Sequence, residues 1–339
     1  MKKTLDYLYN FDFLRIIFTV FIVIHHILEQ FHIFNRAASS VEFFFILSGF
    51  FLTYTVDNQK NCEEFVVKKF IRFWPLVCFS VVCTTFLSGN FMYERILAPL
   101  LFLPATGIYD NFTGSITIWY VCVLFWVSIF YFYLIKYFNK TTVNICIGVL
   151  TFYNYIACIR YGWGLWEPIG DIKIFTTGMA RGIAGMGCGY FIATLYKNHI
   201  STPDNLKKVS LGYSILEILT LVYILISMFT LETPDNRIFI VISFILLIWL
   251  FLMKRGLISR YFDSNLCRVL SQYCLSVFLT HNIVITFFTK YISTDITNFE
   301  LITFLIVSAS IIFGILVHYI IEKPVSKYLK TKVYSFVKE

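Results

Sequence analysis

The chain has 339 residues, of which 58% are hydrophobic and 14% charged, with a mean hydropathy of +0.74. A soluble domain carries roughly 25% charge and about 45–50% apolar residues, so a soluble reading is excluded, and the 38 Phe and 22 Tyr suit lipid-facing and interfacial positions. The net charge of +8 reads as the basic cytoplasmic loops of a membrane protein and not as a nucleic-acid surface.

A helix needs about 20 residues to cross the hydrocarbon. Ten apolar segments of that order follow one another: 13–31, 40–57, 74–89, 115–135, 142–159, 174–196, 209–231, 238–253, 270–290 and 301–321. The expected fold class is an all-α polytopic membrane protein of about ten transmembrane helices, in a single domain over 1–339. A further apolar stretch, 94–104, is short and holds Pro99 and Pro104, which predicts a re-entrant or interfacial piece. The first run is long and has no Ala-x-Ala-like site, so it predicts a retained helix. With the N-terminus inside, every inner segment carries at least two Lys or Arg. The outer segments hold Arg36, Arg95, Arg160, Lys173, Arg237 and Lys290. That asymmetry predicts both termini in the cytoplasm. The nine Cys include no C-x-x-C pair and mostly lie inside apolar runs, which predicts small buried hydrophobes, no disulfide framework and no metal site.

Ionisable side chains inside spans are expensive and functional by default. The first span contains Asp12, Arg15, His25 and His26. At 100° per residue, Arg15 and His26 lie three turns plus about 20° apart, on one stripe, with a rise of about 16 Å between them. His25 points about 80° away from Arg15, and Asp12 lies about 21 Å from His26, too far for a dyad. The competing reading makes Arg15 a snorkelling anchor and His26 a packed, hydrogen-bonded histidine. Span two opens with Glu42, and Ser48-Gly49 interrupts its aromatic run, either for close helix packing or for function. Lys69 and Arg72 sit at i, i+3 on one helix face. They read as an ordinary positive-inside anchor or as an anion site for a phosphorylated cytoplasmic ligand. Later come Arg181 in a Gly-rich span, His281-Asn282 in mid-span, His318, and Glu322 followed by Pro324, where the proline is expected to stop the last helix.

In this order the residues resemble the acyltransferase family 3 membrane proteins, the family of bacterial sugar O-acetyltransferases. The family's Asp-x-x-Arg, ten residues and a His reads here as Asp12, Arg15 and His26. Its acidic residue, two Phe and Ser-Gly-Phe resembles Glu42, Phe43, Phe44, Ser48, Gly49 and Phe50. Its R-x-x-R before an aromatic and Pro resembles Lys69 to Pro75, and its Trp-aromatic motif resembles Trp119-Tyr120. Ser276 to His281 resembles the late Ser-aromatic-Leu-x-His, and Glu322-Lys323-Pro324 the closing Glu-x-Pro. Three departures stand out: Lys69 occupies a usual Arg, the segment after Trp119-Tyr120 lacks the Glu seen in many members, and, with 15 residues after Pro324, the appended hydrolase-like domain of some members is not expected.

The resemblance implies acyl transfer from cytoplasmic acyl-CoA, most simply acetyl-CoA as co-substrate, to a hydroxyl of a sugar or of a surface or lipid-linked polysaccharide. His26 and His281 are then the catalytic candidates, His26 as general base with an acyl-His intermediate as the mechanistic competitor. Arg15, Lys69, Arg72 and Glu322 form the donor end. Asp12, Glu42, Ser48, Gly49, Trp119, Tyr120, Arg181 and Asn282 support the site. The partners implied are acyl-CoA, a sugar or glycan acceptor and membrane lipids, with a homodimer as the candidate assembly, in a bacterial inner (plasma) membrane. The rival classes are a polysaccharide transporter or flippase, which would normally show repeat symmetry, and a polymerase, which would normally carry a large outer loop with paired Arg.

Overall fold

The computed structural model describes residues 10–29, 34–109, 116–160, 170, 176–199, 209–229, 237–292 and 299–336. All regular structure among them is helical: α1 Asn10–Leu28, α2 Ser40–Thr55, α3 Cys62–Ser88, α4 Tyr93–Leu100, α5 Ile118–Tyr137, α6 Lys140–Arg160 and α7 Thr177–His199, then α8 Leu211–Phe229, α9 Arg237–Met253, α10 Leu257–Tyr261, α11 Asn265–Ser271, α12 Cys274–Tyr291, α13 Phe299–Val317 and α14 Lys323–Phe336. Long apolar runs become helices because lipid offers no partner for a backbone N–H or C=O, so each must be satisfied within the segment. Two hydroxyls inside the runs are satisfied in the same way: Thr53 donates to Gly49 O at 2.9 Å and Thr280 to Ser276 O at 2.7 Å.

Seven helical segments are long and apolar enough to cross a membrane: α1, α3, α5, α6, α8, Ala37–Asn58 around α2, and Glu300–Val333 through α13 and α14. The pair α11 and α12, bent by 43°, makes an eighth. The protein is therefore an integral membrane protein. A helix lies within each of the ten expected spans, but α7 is rich in glycine and α9 has only 17 residues. Length and hydropathy alone thus support seven or eight crossings among the described residues, not ten.

Three local expectations change, and one is narrowed. The third helix starts at Cys62, well before 74, because the Asn61 side chain accepts from Glu64 N at 2.9 Å and caps it there; Lys68 lies with Lys69 and Arg72 inside α3, and the last two share the helix their i, i+3 spacing calls for. Within the segment 94–104 the short α4 ends at Leu100, and Ala98 and Pro99 are buried while Leu97 and Leu101 are exposed, a two-faced pattern that fits the interfacial one of the two expected alternatives. The segment 270–290 is broken between α11 and α12. Pro324 does not stop the last helix: a π-helical turn at His318–Glu322 precedes it, and Pro324 falls in the first turn of α14, where its missing N–H is tolerated.

The core is organised around α2 and α7, which approach at backbone distance. A Cβ on Gly49 would lie 2.1 Å from Met186 O, and one on Gly189 would lie 2.0 Å from Ile46 O. Gly49 thus serves close packing of α2 on α7. On the other side α1 packs against α2, α11, α12 and α13, and α12 packs against α3. The functional side chains gather where α1, α2, α3, α5 and α12 converge.

Candidate active site

A cavity of about 720 Å³ opens among α1, α2, α3, α5, α11 and α12. Arg15, Lys68, Lys69, Arg72 and Arg268 all line it, and Glu322 is the acidic residue that does so among the described residues. Such a concentration of one sign in a concave, low-dielectric site focuses the field and selects anions. Each cation is held. Arg15 pairs with the buried Asp12 at 2.6 Å and lies 4.9 Å over the Phe51 ring. Lys69 lies between the Phe65 and Phe73 rings, 5.5 Å from each, with Nζ 3.4 Å from Ser128 Oγ. Arg72 lies 5.8 Å from the Phe73 ring. The aromatic faces hold Lys69 and Arg72 without neutralising them, whereas Arg15 is paired with Asp12 and Lys68 with Glu64 at 3.0 Å.

Lys69 and Arg72 share the cavity as their i, i+3 spacing predicts. Lys68 and Arg268 were not singled out from sequence. Lys68 passes for an anchor beside Lys69. Arg268 reaches the cavity because α11 bends away from α12, and a hydropathy profile averages over such a bend.

Along α1 the lining extends to Thr19, and along α12 to Phe278. At this end the Phe44, Tyr120 and Phe278 rings meet, with centroids 6.3 Å apart for Phe44–Tyr120 and 5.3 Å for Tyr120–Phe278. The Tyr120 hydroxyl is hydrogen bonded to Ser48. One turn past Phe278 stands His281, and two turns past Thr19 stands His26. Their rings stack with centroids 5.3 Å apart and planes 24° apart. Nothing in the sequence pairs the two, which lie on α1 and α12; the fold brings their rings into contact.

The hydrogen bonds define the His281 tautomer. His281 is fully buried and its Nδ1 lies 3.2 Å from Val277 O. A carbonyl only accepts, so Nδ1 carries the proton and Nε2 the lone pair. That Nε2 is buried and has no hydrogen-bond partner among the described residues. His26 is 18% exposed, with Nδ1 3.5 Å from Glu29 Oε2. His25 lies off the Arg15–His26 stripe: it is buried with Nδ1 3.3 Å from Phe34 O, as the 100° periodicity predicts.

The remaining candidates divide into two groups. Glu42 and Arg181, both buried, pair at 2.6 Å; Tyr155 donates to Glu42 at 3.3 Å, and Arg181 lies 5.1 Å from the Trp119 ring. This cluster fixes α2, α5, α6 and α7 to one another. Glu322 accepts from Ser276 Oγ at 2.7 Å and lies 2.8 Å from His318 Nδ1, which fixes the π-helical turn to α12 at the cavity wall. Asn282 is partly buried and does not line the cavity.

Comparison with known proteins agrees with the motif order. No curated protein and no solved structure matches the chain. The family model described as an acyltransferase domain matches residues 8–323, a range that takes in the cationic cavity, both histidines, the Glu42–Arg181 pair and Glu322. The chain belongs to acyltransferase family 3.

Proposed function

We propose that this chain is a membrane O-acetyltransferase of a bacterial inner membrane, moving an acetyl group from cytoplasmic acetyl-CoA to a hydroxyl of a sugar or of a lipid-linked or surface glycan. The observation that carries the reading is the alignment of two features in one convergence of helices. A cavity lined by five cations lies below, and the stacked His26–His281 pair lies above. A transporter would also bury ionisable groups, but it has no need of a paired imidazole with an unpartnered Nε2.

In this reading the chain spans the membrane ten times with both ends inside, so the cationic cavity faces the cytoplasm. Coenzyme A is anionic and long. Its phosphates suit Lys68, Lys69, Arg72 and Arg268, with Arg15 at the inner end. The pantetheine arm runs along the Arg15 stripe of α1, past the ring of Phe278, and carries the thioester the remaining distance to His26. The neutral imidazole of His26 takes the proton of the acceptor hydroxyl. The oxygen bonds to the thioester carbonyl carbon, the C–S bond breaks, and the proton passes to the thiolate. His281, through its unpartnered Nε2, accepts a hydrogen bond from the acceptor and orients it. Transfer of label from acetyl-CoA to glycan by the purified protein tests the reading; an active-site-intact protein that binds glycan but transfers no acetyl group refutes it.

The donor end has its own expected result. Lys69→Gln with Arg72→Gln should raise KM for acetyl-CoA by about 10- to 100-fold with little change in kcat, because phosphate contacts bind ground state and transition state alike. Lys69→Arg should be tolerated, since it keeps the charge and adds a fork. Steady-state kinetics on both variants decides; an unchanged KM in the double variant removes these residues from the donor site.

A further inference from the structure

We propose that Glu29, just past the C-terminal end of α1, is the positioning residue of His26, holding its Nδ1 proton so that Nε2 remains the free base and stabilising the imidazolium that forms during transfer. The inference rests on the acyl-transfer reading above and adds a residue that the motif order did not point to.

The two residues are at i, i+3, so they share a helix face. The contact is 3.5 Å, with the Glu29 side chain 42% exposed. That distance is at the limit of a hydrogen bond, and such contacts in a substrate-free site tighten once the site is filled. The neighbours of His26 leave this role to Glu29. His25, with its ring 4.9 Å away, has its own Nδ1 on Phe34 O. His281 has its Nδ1 on Val277 O. Among the described residues these two histidines and Glu29 are the titratable groups that contact the His26 ring.

The asymmetry within the stacked pair assigns the roles. Both imidazoles direct Nδ1 at an oxygen, and both are thereby set to present Nε2. One oxygen is a neutral carbonyl and the other a carboxylate. A carboxylate stabilises a positive ring far more than a carbonyl does. Of the two histidines, His26 therefore receives the proton, and His281 remains neutral and orients the acceptor. The carboxylate of Glu29 keeps its charge throughout. The proton moves from acceptor oxygen to His26 Nε2 and on to the departing thiolate.

The test is a series at one position, Glu29→Asp, Glu29→Gln and Glu29→Ala, measured as kcat and KM for acetyl-CoA beside the parent and His26→Ala. We expect kcat to fall in the order Glu, Asp, Gln, Ala, reaching about tenfold in Gln and about 30- to 100-fold in Ala, with KM within about twofold. Asp restores the charge one methylene short and should keep activity above Gln. An active, His26-dependent parent with a flat Glu29 series overturns this inference alone. So does a series in which Asp is no better than Ala and activity falls only in step with melting temperature. His25, His26 and Glu29 also place ligand atoms within 4.8 Å of one another. Loss of parental activity on chelation, restored by zinc ion, would overturn the positioning role in favour of a metal. A parent that transfers no acetyl group sinks the underlying reading and the inference with it.

Discussion

Purified His26→Ala is expected to lose acetyl transfer by about 100- to 10,000-fold while inserting and folding like the parent. The side chain is partly exposed, stacking on His281 and facing Glu29, so its removal empties no fully buried position. What it removes is the imidazole of the stacked pair whose Nδ1 faces a carboxylate. The adjacent His25→Ala should behave differently. His25 is buried and tied to Phe34 O, so its loss should lower melting temperature and leave much of kcat per folded molecule. Activity normalised to folded protein separates the two. Near-normal turnover in His26→Ala would remove the general base from the account.

The second large effect is on stability. Glu42→Ala should destabilise the protein by about 3–5 kcal/mol, the usual result of removing one partner from a buried ion pair. Arg181 is 1% exposed and its Nε lies 2.6 Å from Glu42, so the guanidinium would stay in the core without its carboxylate. Replacing both, as Glu42→Leu with Arg181→Leu, should recover part of the loss because no uncompensated charge remains. Thermal unfolding in detergent measures both variants. A melting temperature within a degree or two of the parent in Glu42→Ala would show that the pair does not hold α2 to α7.

The two effects distinguish what could be read from the chain and what could not. The Arg15–His26 stripe is a property of one helix, and helical periodicity alone places both on one face. His25 pointing away follows from the same arithmetic. Contacts between helices are different. Glu42 and Arg181 each stand out as charges in apolar runs, but they are 139 residues apart, and only the packing of α2 on α7 through Gly49 and Gly189 joins them. The same holds for His26 and His281. Arg268 was invisible because the bend between α11 and α12 comes from tertiary packing, and hydropathy averages over it. Pro324 misled because the rule that proline ends a helix assumes an α-helical approach, and the π-helical turn before it removes the conflict. Glu29 passed as a polar residue at the end of a span; its i, i+3 spacing from His26 was the available signal.

With the donor cavity facing the cytoplasm in the proposed reading, the acceptor is expected to reach the histidine pair from the other face of the membrane. Sealed vesicles of known orientation test it directly. Labelled acetyl-CoA is supplied only on the face bearing Lys69, Arg72 and Arg268, and glycan acceptor only on the other. The account predicts acetylated glycan in the acceptor compartment, and no product when acetyl-CoA is moved to that side. Product that forms only when both substrates share the donor face would contradict transfer across the membrane.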